Sequence, residues 1–175
     1  MDSPQQITPE QFLSGDGPIA QGLEGFESRP QQIEMSQRVS DAMGNAKHLI
    51  IEAGTGVGKS FAYLAASILH AKKHGQKVVI STYTISLQEQ LIRKDIPFLK
   101  KVSGIDFSAV LVKGRQNYLC PRRLRQAQKR QASLFDKPEE ALQLQDLFDF
   151  SMESKDGTLS DLPFSPNYDV WEMVC

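Results

Sequence analysis

Three glycines lead into Lys59-Ser60 in the run Ala53-Gly54-Thr55-Gly56-Val57-Gly58-Lys59-Ser60. Residues of these types at this spacing suit a nucleoside triphosphate. Glycines let the main chain wrap close around phosphate oxygens, so that successive N–H groups point inward. A helix opening at Lys59 adds the partial positive charge of its N-terminus. The Lys59 ammonium can bridge β- and γ-phosphate oxygens, and the Ser60 hydroxyl can coordinate Mg²⁺. The first position of the usual Gly-x-x-x-x-Gly-Lys-Ser/Thr pattern is Ala53, so the expectation leans on context as well as on the octapeptide.

That context is a strand before the loop and a helix after it. Residues 49–51, Leu-Ile-Ile, read as a buried strand. From Lys59 onward, Phe61, Leu64, Ala65, Ile68 and Leu69 fall at i, i+3, i+4, i+7 and i+8, one apolar helical face. Lys72, Lys73 and His74 suit the helix C-terminus, and Gly75 ends it. The order then repeats. Residues 78–80 are an apolar strand, residues 81–84 a polar turn, and residues 86–101 a helix with Ser86 and Glu89 spaced as a capping box. Residues 109–112 are a third strand. Strand–helix alternation with continuous apolar strands predicts an α/β fold whose parallel sheet is covered on both faces.

Upstream, residues 1–25 are rich in Gln, Pro and Gly and read as a loosely ordered lead-in, and a helix runs from Arg29-Pro30 to Met43, ended by Gly44-Asn45. Downstream of Val112 the pattern changes. Residues 121–133 read as a basic, Gln-rich helix, residues 138–150 as a second helix, and residues 151–169 as a loop. The expected organisation is therefore a lead-in at 1–25, a nucleotide-binding domain at 26–112 and an inserted subdomain at 113–175.

Composition narrows the class. The 175 residues are 40% hydrophobic and 23% charged, which is globular and excludes a disordered chain or a fibre. The longest uncharged apolar stretch, residues 61–69, is far short of a membrane span, and the polar first residues lack a secretory pattern. No membrane partner is expected. Two cysteines, Cys120 and Cys175, do not make a disulfide framework, and a reducing cytoplasm is the natural compartment. The net charge of −1 hides an asymmetry: residues 136–175 carry ten acids and two bases, and residues 113–130 carry seven bases and no acid. The basic block fits phosphate contacts, and charge alone fits a solvated helix face as well.

Four segments occur in order: Arg29-Pro-x-Gln32-x-x-Met35, Glu52-Ala-Gly-Thr-Gly-Val-Gly-Lys-Ser60, Ser81-Thr-Tyr-Thr-Ile-Ser-Leu-Gln-Glu-Gln-Leu91 and Lys113-Gly-Arg-Gln-Asn-Tyr-Leu-Cys120. Together they resemble the N-terminal part of the DinG/XPD family of superfamily 2 DNA helicases, most of all its bacterial DinG-like branch. The resemblance is strong over residues 26–120 and weaker at Trp171 to Cys175. It implies a P-loop NTPase with a RecA-like first motor domain, incomplete here, followed by the start of a helical iron–sulfur insertion. It implies ATP with Mg²⁺, and a cofactor-binding set of Arg29, Gln32, Ala53, Gly54, Thr55, Gly56, Val57, Gly58, Lys59 and Ser60. On this resemblance Lys59 is the catalytic residue, Ser60 the Mg²⁺ ligand and Gln32 the reader of the adenine edge, an amide that donates and accepts at once, against the alternative of a solvated helix-start Gln.

The resemblance also implies a single-stranded DNA surface at Thr82, Thr84 and Gln88, where hydroxyls and helix-start N–H groups meet phosphates, though Thr84 or Ser86 equally suits a helix cap. Lys113, Arg115, Arg122 and Arg123, with the bases that follow them, form a basic rim for the phosphate backbone. Tyr118 stacks on a base or packs. Cys120 matches the first of four thiolate ligands of a [4Fe–4S] cluster and Cys175 the second, against the alternative of two ordinary cysteines.

The chain contains no Asp-Glu pair for the Asp-Glu-x-His box that would hold Mg²⁺ and orient water. The expectation is thus an N-terminal piece of a longer, monomeric helicase that works 5′ to 3′ on single strands and duplex junctions, the piece itself inactive. Two alternatives are a different P-loop enzyme, such as a small-molecule kinase, and a nucleotide-gated nucleic-acid-binding module.

Overall fold

The computed structural model describes residues 7–130 and 138–175, so the expected helical residues 131–133 lie outside the described residues. The chain divides into two compact units, the first ending at Leu111 and the second beginning at Val112.

In the first unit, Pro30 at the first helical position lacks an N–H that the helix start would leave unbonded, and opens helix α3 (Pro30–Gly44). Helix α4 (Lys59–His74) starts at the glycine-rich loop and stops at Gly75, whose φ of +64° suits a residue without Cβ. The α4 stripe puts Ala62, Leu64, Ala65, Ala66 and Ile68 in the core. Its small alanines admit α3 closely enough for Ser36, fully buried, to donate to the Ala62 carbonyl at 2.7 Å.

Residues 7–25 are not the loose lead-in that their composition predicts. Thr8 and Gln11 form a reciprocal capping box that starts helix α1 (Pro9–Leu13), and helix α2 (Pro18–Gly22) follows. Phe12, Leu13 and Ile19 are fully buried in the same core as Leu64 and Leu99. Each such side chain contributes about 2 kcal/mol of burial, which orders the segment.

The expected helix over residues 86–101 is interrupted. Helix α5 (Ile85–Gln90) is capped by Thr84, whose hydroxyl accepts from the Leu87 N–H at 3.3 Å, so the cap is Thr84 and not Ser86. A π-helical turn, Leu91–Asp95, then leads to helix α6 (Ile96–Ser103). Pro97 explains the wide turn: its ring crowds the preceding turn and it has no N–H to donate.

The expected parallel sheet is absent among the described residues, whose single β-bridge is the isolated antiparallel pair Tyr118–Thr158. The three apolar runs are non-helical and form no ladder. Within the second run Ile80 packs against the helical core, as do Ile105 and Phe107 from just before the third. Elsewhere the runs are open, with Ile50 98%, Val79 90% and Val110 84% exposed. Continuous apolar runs call for cover on both faces and main-chain partners along both edges. Among the described residues that cover is partial and the edges are unpaired.

The second unit holds helix α7 (Pro121–Lys129), helix α8 (Pro138–Glu153) and helix α9 (Tyr168–Val174), with short 3₁₀ turns at Arg115–Asn117 and Leu159–Asp161. Helix α8 runs three residues past its predicted end. Part of the expected loop at 151–169 is a turn and a helix start, where Asn167 caps the Asp169 N–H at 2.9 Å. Leu119, Leu124, Ala127, Leu144, Leu147, Val170, Trp171 and Val174 form its core. The Trp171 indole N–H donates to the Gln116 carbonyl at 2.8 Å. No helix among the described residues is long and apolar enough to cross a membrane.

Candidate functional site

Gly56 and Gly58 take φ of +81° and +82°, a left-handed conformation that bends the loop into a concave turn before α4. The turn leaves the N–H groups of the α4 start without helical partners, the donor set that a phosphate needs. Three side chains assigned from sequence converge on the carbonyls of this turn. The Lys59 ammonium donates to Ala53 O at 3.0 Å and Gly54 O at 2.8 Å. The Arg29 guanidinium donates to Gly56 O. The Gln32 amide nitrogen donates to Gly58 O at 2.9 Å. Ser60 is half-buried at the second residue of α4, and Thr55 and Gly54 are exposed at the mouth.

Gln32 departs from its expected role in one respect. It is 2% exposed, and its nitrogen holds the loop. Its Oε1 is buried with no hydrogen-bond partner. A buried acceptor without a donor costs roughly 1–3 kcal/mol, so this oxygen calls for an incoming N–H. Ser36, which ties α3 to α4 through Ala62 O, carries no local sequence signal, because a buried serine looks like any polar helix residue.

In the segment of Thr82, Thr84 and Gln88 the hydroxyls serve local structure. Thr82 Oγ1 donates to Thr84 O at 3.1 Å and Thr84 caps α5, while Gln88 is half-buried in that helix. Tyr83 between them is fully exposed.

The basic rim of the second unit sorts into two groups. Arg115 and Arg122 are exposed, and Arg122, Arg125 and Lys129 fall at i, i+3 and i+7 on the open face of α7, opposite buried Leu124 and Ala127. Lys113 and Arg123 are turned inward. Lys113 is buried against Thr158 and Ser160, and Arg123 donates to the carbonyls of Cys175 and Glu172, the latter at 2.9 Å. These two expected phosphate contacts are occupied by their own unit. Tyr118 packs, its hydroxyl accepting from the Lys113 main-chain N–H at 2.9 Å.

Cys120 and Cys175 come together from opposite ends of the unit. The Cys120 N–H donates to Val174 O at 2.7 Å, and the Arg123 fork holds the Cys175 carbonyl. Both thiols are free and partly exposed. Cys120 caps α7, and the Arg123 backbone N–H beside its sulfur pulls the thiol below its ordinary range; burial opposes this, and the Arg122 N–H and the two arginine charges add to it. No cluster of three or more His, Cys, Asp or Glu positioned for a metal occurs among the described residues.

A lowered thiol keeps its thiolate as pH falls past the point where an ordinary thiol protonates, near 8.5. Iodoacetamide labelling of Cys120, followed by peptide mass spectrometry, is therefore expected to show a pH midpoint below that of N-acetylcysteine. Arg122→Ala should move the midpoint upward. A midpoint at or above the free thiol would contradict the helix-start geometry.

The DEAD/DEAH box helicase family profile matches residues 29–153. Among curated proteins, the chain is 43% identical over 126 residues to the ATP-dependent DNA helicase YoaA of Haemophilus influenzae, covering 72% of this chain and 19% of that protein. It is 44% identical over 111 residues to the Escherichia coli protein of the same name, covering 63% of this chain and 17% of that protein. It is 38% identical over 102 residues to the 3'-5' exonuclease DinG of Bacillus subtilis, covering 58% of this chain and 11% of that protein. The chain thus spans about a fifth or less of the length of these relatives.

Proposed function

Because this chain belongs to the DEAD/DEAH box helicase family, we propose that its first unit is the ATP-binding part of a DNA helicase motor. The observation that carries this reading is the convergence of Arg29, Gln32 and Lys59 on the glycine-rich turn at the start of α4. On ATP binding, Lys59 exchanges the Ala53 and Gly54 carbonyls for β- and γ-phosphate oxygens. The α4 N–H groups take the phosphates, and Ser60 takes Mg²⁺. The unpartnered Gln32 Oε1 suits the adenine exocyclic amine. The open sides of residues 49–51, 78–80 and 109–112 are where a parallel sheet builds in the longer motor.

ATP-driven unwinding, with 5′ to 3′ movement, belongs in this reading to a protein of the relatives' length. These residues contain no Asp-Glu pair to orient water, so they bind nucleotide without turnover. The test is binding of a fluorescent ATP analogue with Mg²⁺ to the 175-residue chain, alongside an ATPase assay with single-stranded DNA. Saturable binding without turnover is expected. Absence of binding overturns the reading.

In the second unit the two cysteines suit half of a [4Fe–4S] ligand set: a thiol depressed at a helix start, and a second cysteine held beside it by main-chain bonds. Such a cluster supplies a rigid, redox-active cross-link between the chain segments that ligate it. The DNA surface of this unit is the exposed row Arg122, Arg125 and Lys129, with Arg115. Replacing the three α7 bases by alanine should weaken binding of a fluorescein-labelled oligothymidine at least about tenfold at low salt. It should also lower the slope of log affinity against log salt by about 2, as three lost phosphate contacts on a single strand imply. An unchanged slope would place the strand elsewhere.

A further inference from the structure

Lys113 opens the octapeptide that ends at Cys120, yet it is 8% exposed. Burying an ammonium is costly unless hydrogen bonds replace its water, and here they do. Its Nζ donates to Thr158 Oγ1 at 3.2 Å and to Ser160 Oγ at 2.7 Å. These bonds join segments 45 residues apart in the chain. The same segments meet at the Tyr118–Thr158 bridge and through the Leu119 N–H, which donates to Gly157 O at 2.8 Å. The next residue is Cys120, whose N–H donates to Val174 O at 2.7 Å. Gly157 takes φ of +66°, and Leu119 atoms lie within 4 Å of where its Cβ would stand, so the crossing is close. The contacts form a row that begins at Lys113 and ends at the cysteine.

We propose that Lys113 is a positioning residue for Cys120: its ammonium ties residues 113–119 to residues 157–160, and this fixes the Cys120 main chain at the α7 start beside Cys175. It does not contact DNA phosphate. The proposal rests on the reading of Cys120 and Cys175 as cluster ligands, because a ligand set gains from side chains held in place before the metal arrives.

Hydrogen–deuterium exchange on the 175-residue chain tests it. In Lys113→Met, the Leu119 and Cys120 amides should exchange about tenfold faster or more, since a charge-assisted bond no longer holds the crossing closed. Amides of α4 and affinity for oligothymidine should stay unchanged. Thr158→Val should raise exchange at the same two amides, and Thr158→Ser, which keeps the hydroxyl, should restore them. Unchanged exchange at Leu119 and Cys120 in a folded Lys113→Met chain overturns the proposal, as does a loss of DNA affinity without a change in exchange. Should Lys113→Met unfold the unit, seen as lost protection across α8, the Thr158 pair decides by the same criterion. Titration with Co²⁺, read by thiolate-to-metal charge-transfer absorption, separates the two layers. A band in the wild type that is lost in Cys175→Ser and weakened in Lys113→Met supports both. No band in the wild type, with exchange raised in Lys113→Met, removes the ligand reading and leaves the anchoring role of Lys113 standing.

Discussion

Replacing Lys59 by alanine is expected to lower the affinity of the chain for magnesium-ATP by about a hundredfold or more. The Lys59 ammonium is held by the Ala53 and Gly54 carbonyls at 3.0 and 2.8 Å, so it already points along the concave side of the turn. Exchanging two neutral carbonyls for two anionic phosphate oxygens replaces ordinary hydrogen bonds with charge-assisted ones, each worth about 1.5–3 kcal/mol. Losing both costs roughly 3 kcal/mol or more, and each 1.4 kcal/mol is tenfold in affinity. The control is Lys73→Ala, an exposed lysine in the last turn of the same helix, which should bind as the wild type does. Titration of a fluorescent ATP analogue gives the comparison. Equal affinities for the two variants would show that Lys59 does not meet the phosphates.

Gly58→Ala is expected to destabilise the first unit by about 2 kcal/mol and to abolish nucleotide binding. At φ of +82° a Cβ crowds the following carbonyl, at roughly 1–2 kcal/mol. That Cβ would also stand 2.1 Å from Gln32 Nε2. Gln32 is long enough to swing aside, but doing so breaks its bond to Gly58 O and pushes a buried amide away from the loop, at about 1 kcal/mol. For a unit near a hundred residues this lowers the melting temperature by roughly 10 °C. A thermal melt of the variant, and of Gly54→Ala as a control, measures the effect. The Gly54 Cβ position meets no atom within 4 Å, so that variant should melt near the wild type. Equal melting of the two variants would show that the left-handed turn is not held by the fold.

Where these two effects fall was largely legible in the sequence. The phosphate turn is a local structure: eight consecutive residues, a glycine-dependent backbone and the helix that follows them. Helices α3 and α4 were legible for the same reason, since Pro30 marks the start of α3, and the stripe from Phe61 to Leu69 with Gly75 marks α4, each within its own stretch of chain. The ordering of residues 9–22 was not. Their Gln, Pro and Gly content resembles a linker, and the decisive fact is that Phe12, Leu13 and Ile19 bury against Leu64 and Leu99, far along the chain. The interruption at Leu91–Asp95 was readable only in part: Pro97 was visible, and its consequence was not, because a π turn lets the helix pass a proline without ending.

The second unit shows the division most clearly. By composition Lys113, Arg115, Arg122, Arg123 and Arg125 are one basic block. The fold separates them. Lys113 meets the hydroxyls of Thr158 and Ser160, and Arg123 meets the carbonyls at the end of α9, while Arg122 and Arg125 keep their charges in solvent. No local pattern distinguishes a lysine destined for burial from one that is not, because its partners lie 45 and 47 residues away.

The amino-acid sequence by itself determined the family and the glycine-rich turn on which the nucleotide reading rests, since both reside in contiguous residues whose backbone geometry their own types dictate. The tertiary structure alone decided which cations stay exposed, which polar groups clasp the loop and how the main chain of Cys120 comes to lie against the last residues of α9. Each of those depends on which distant segments exclude water from one another, and the cost of leaving a buried polar group unpaired then selects its partner.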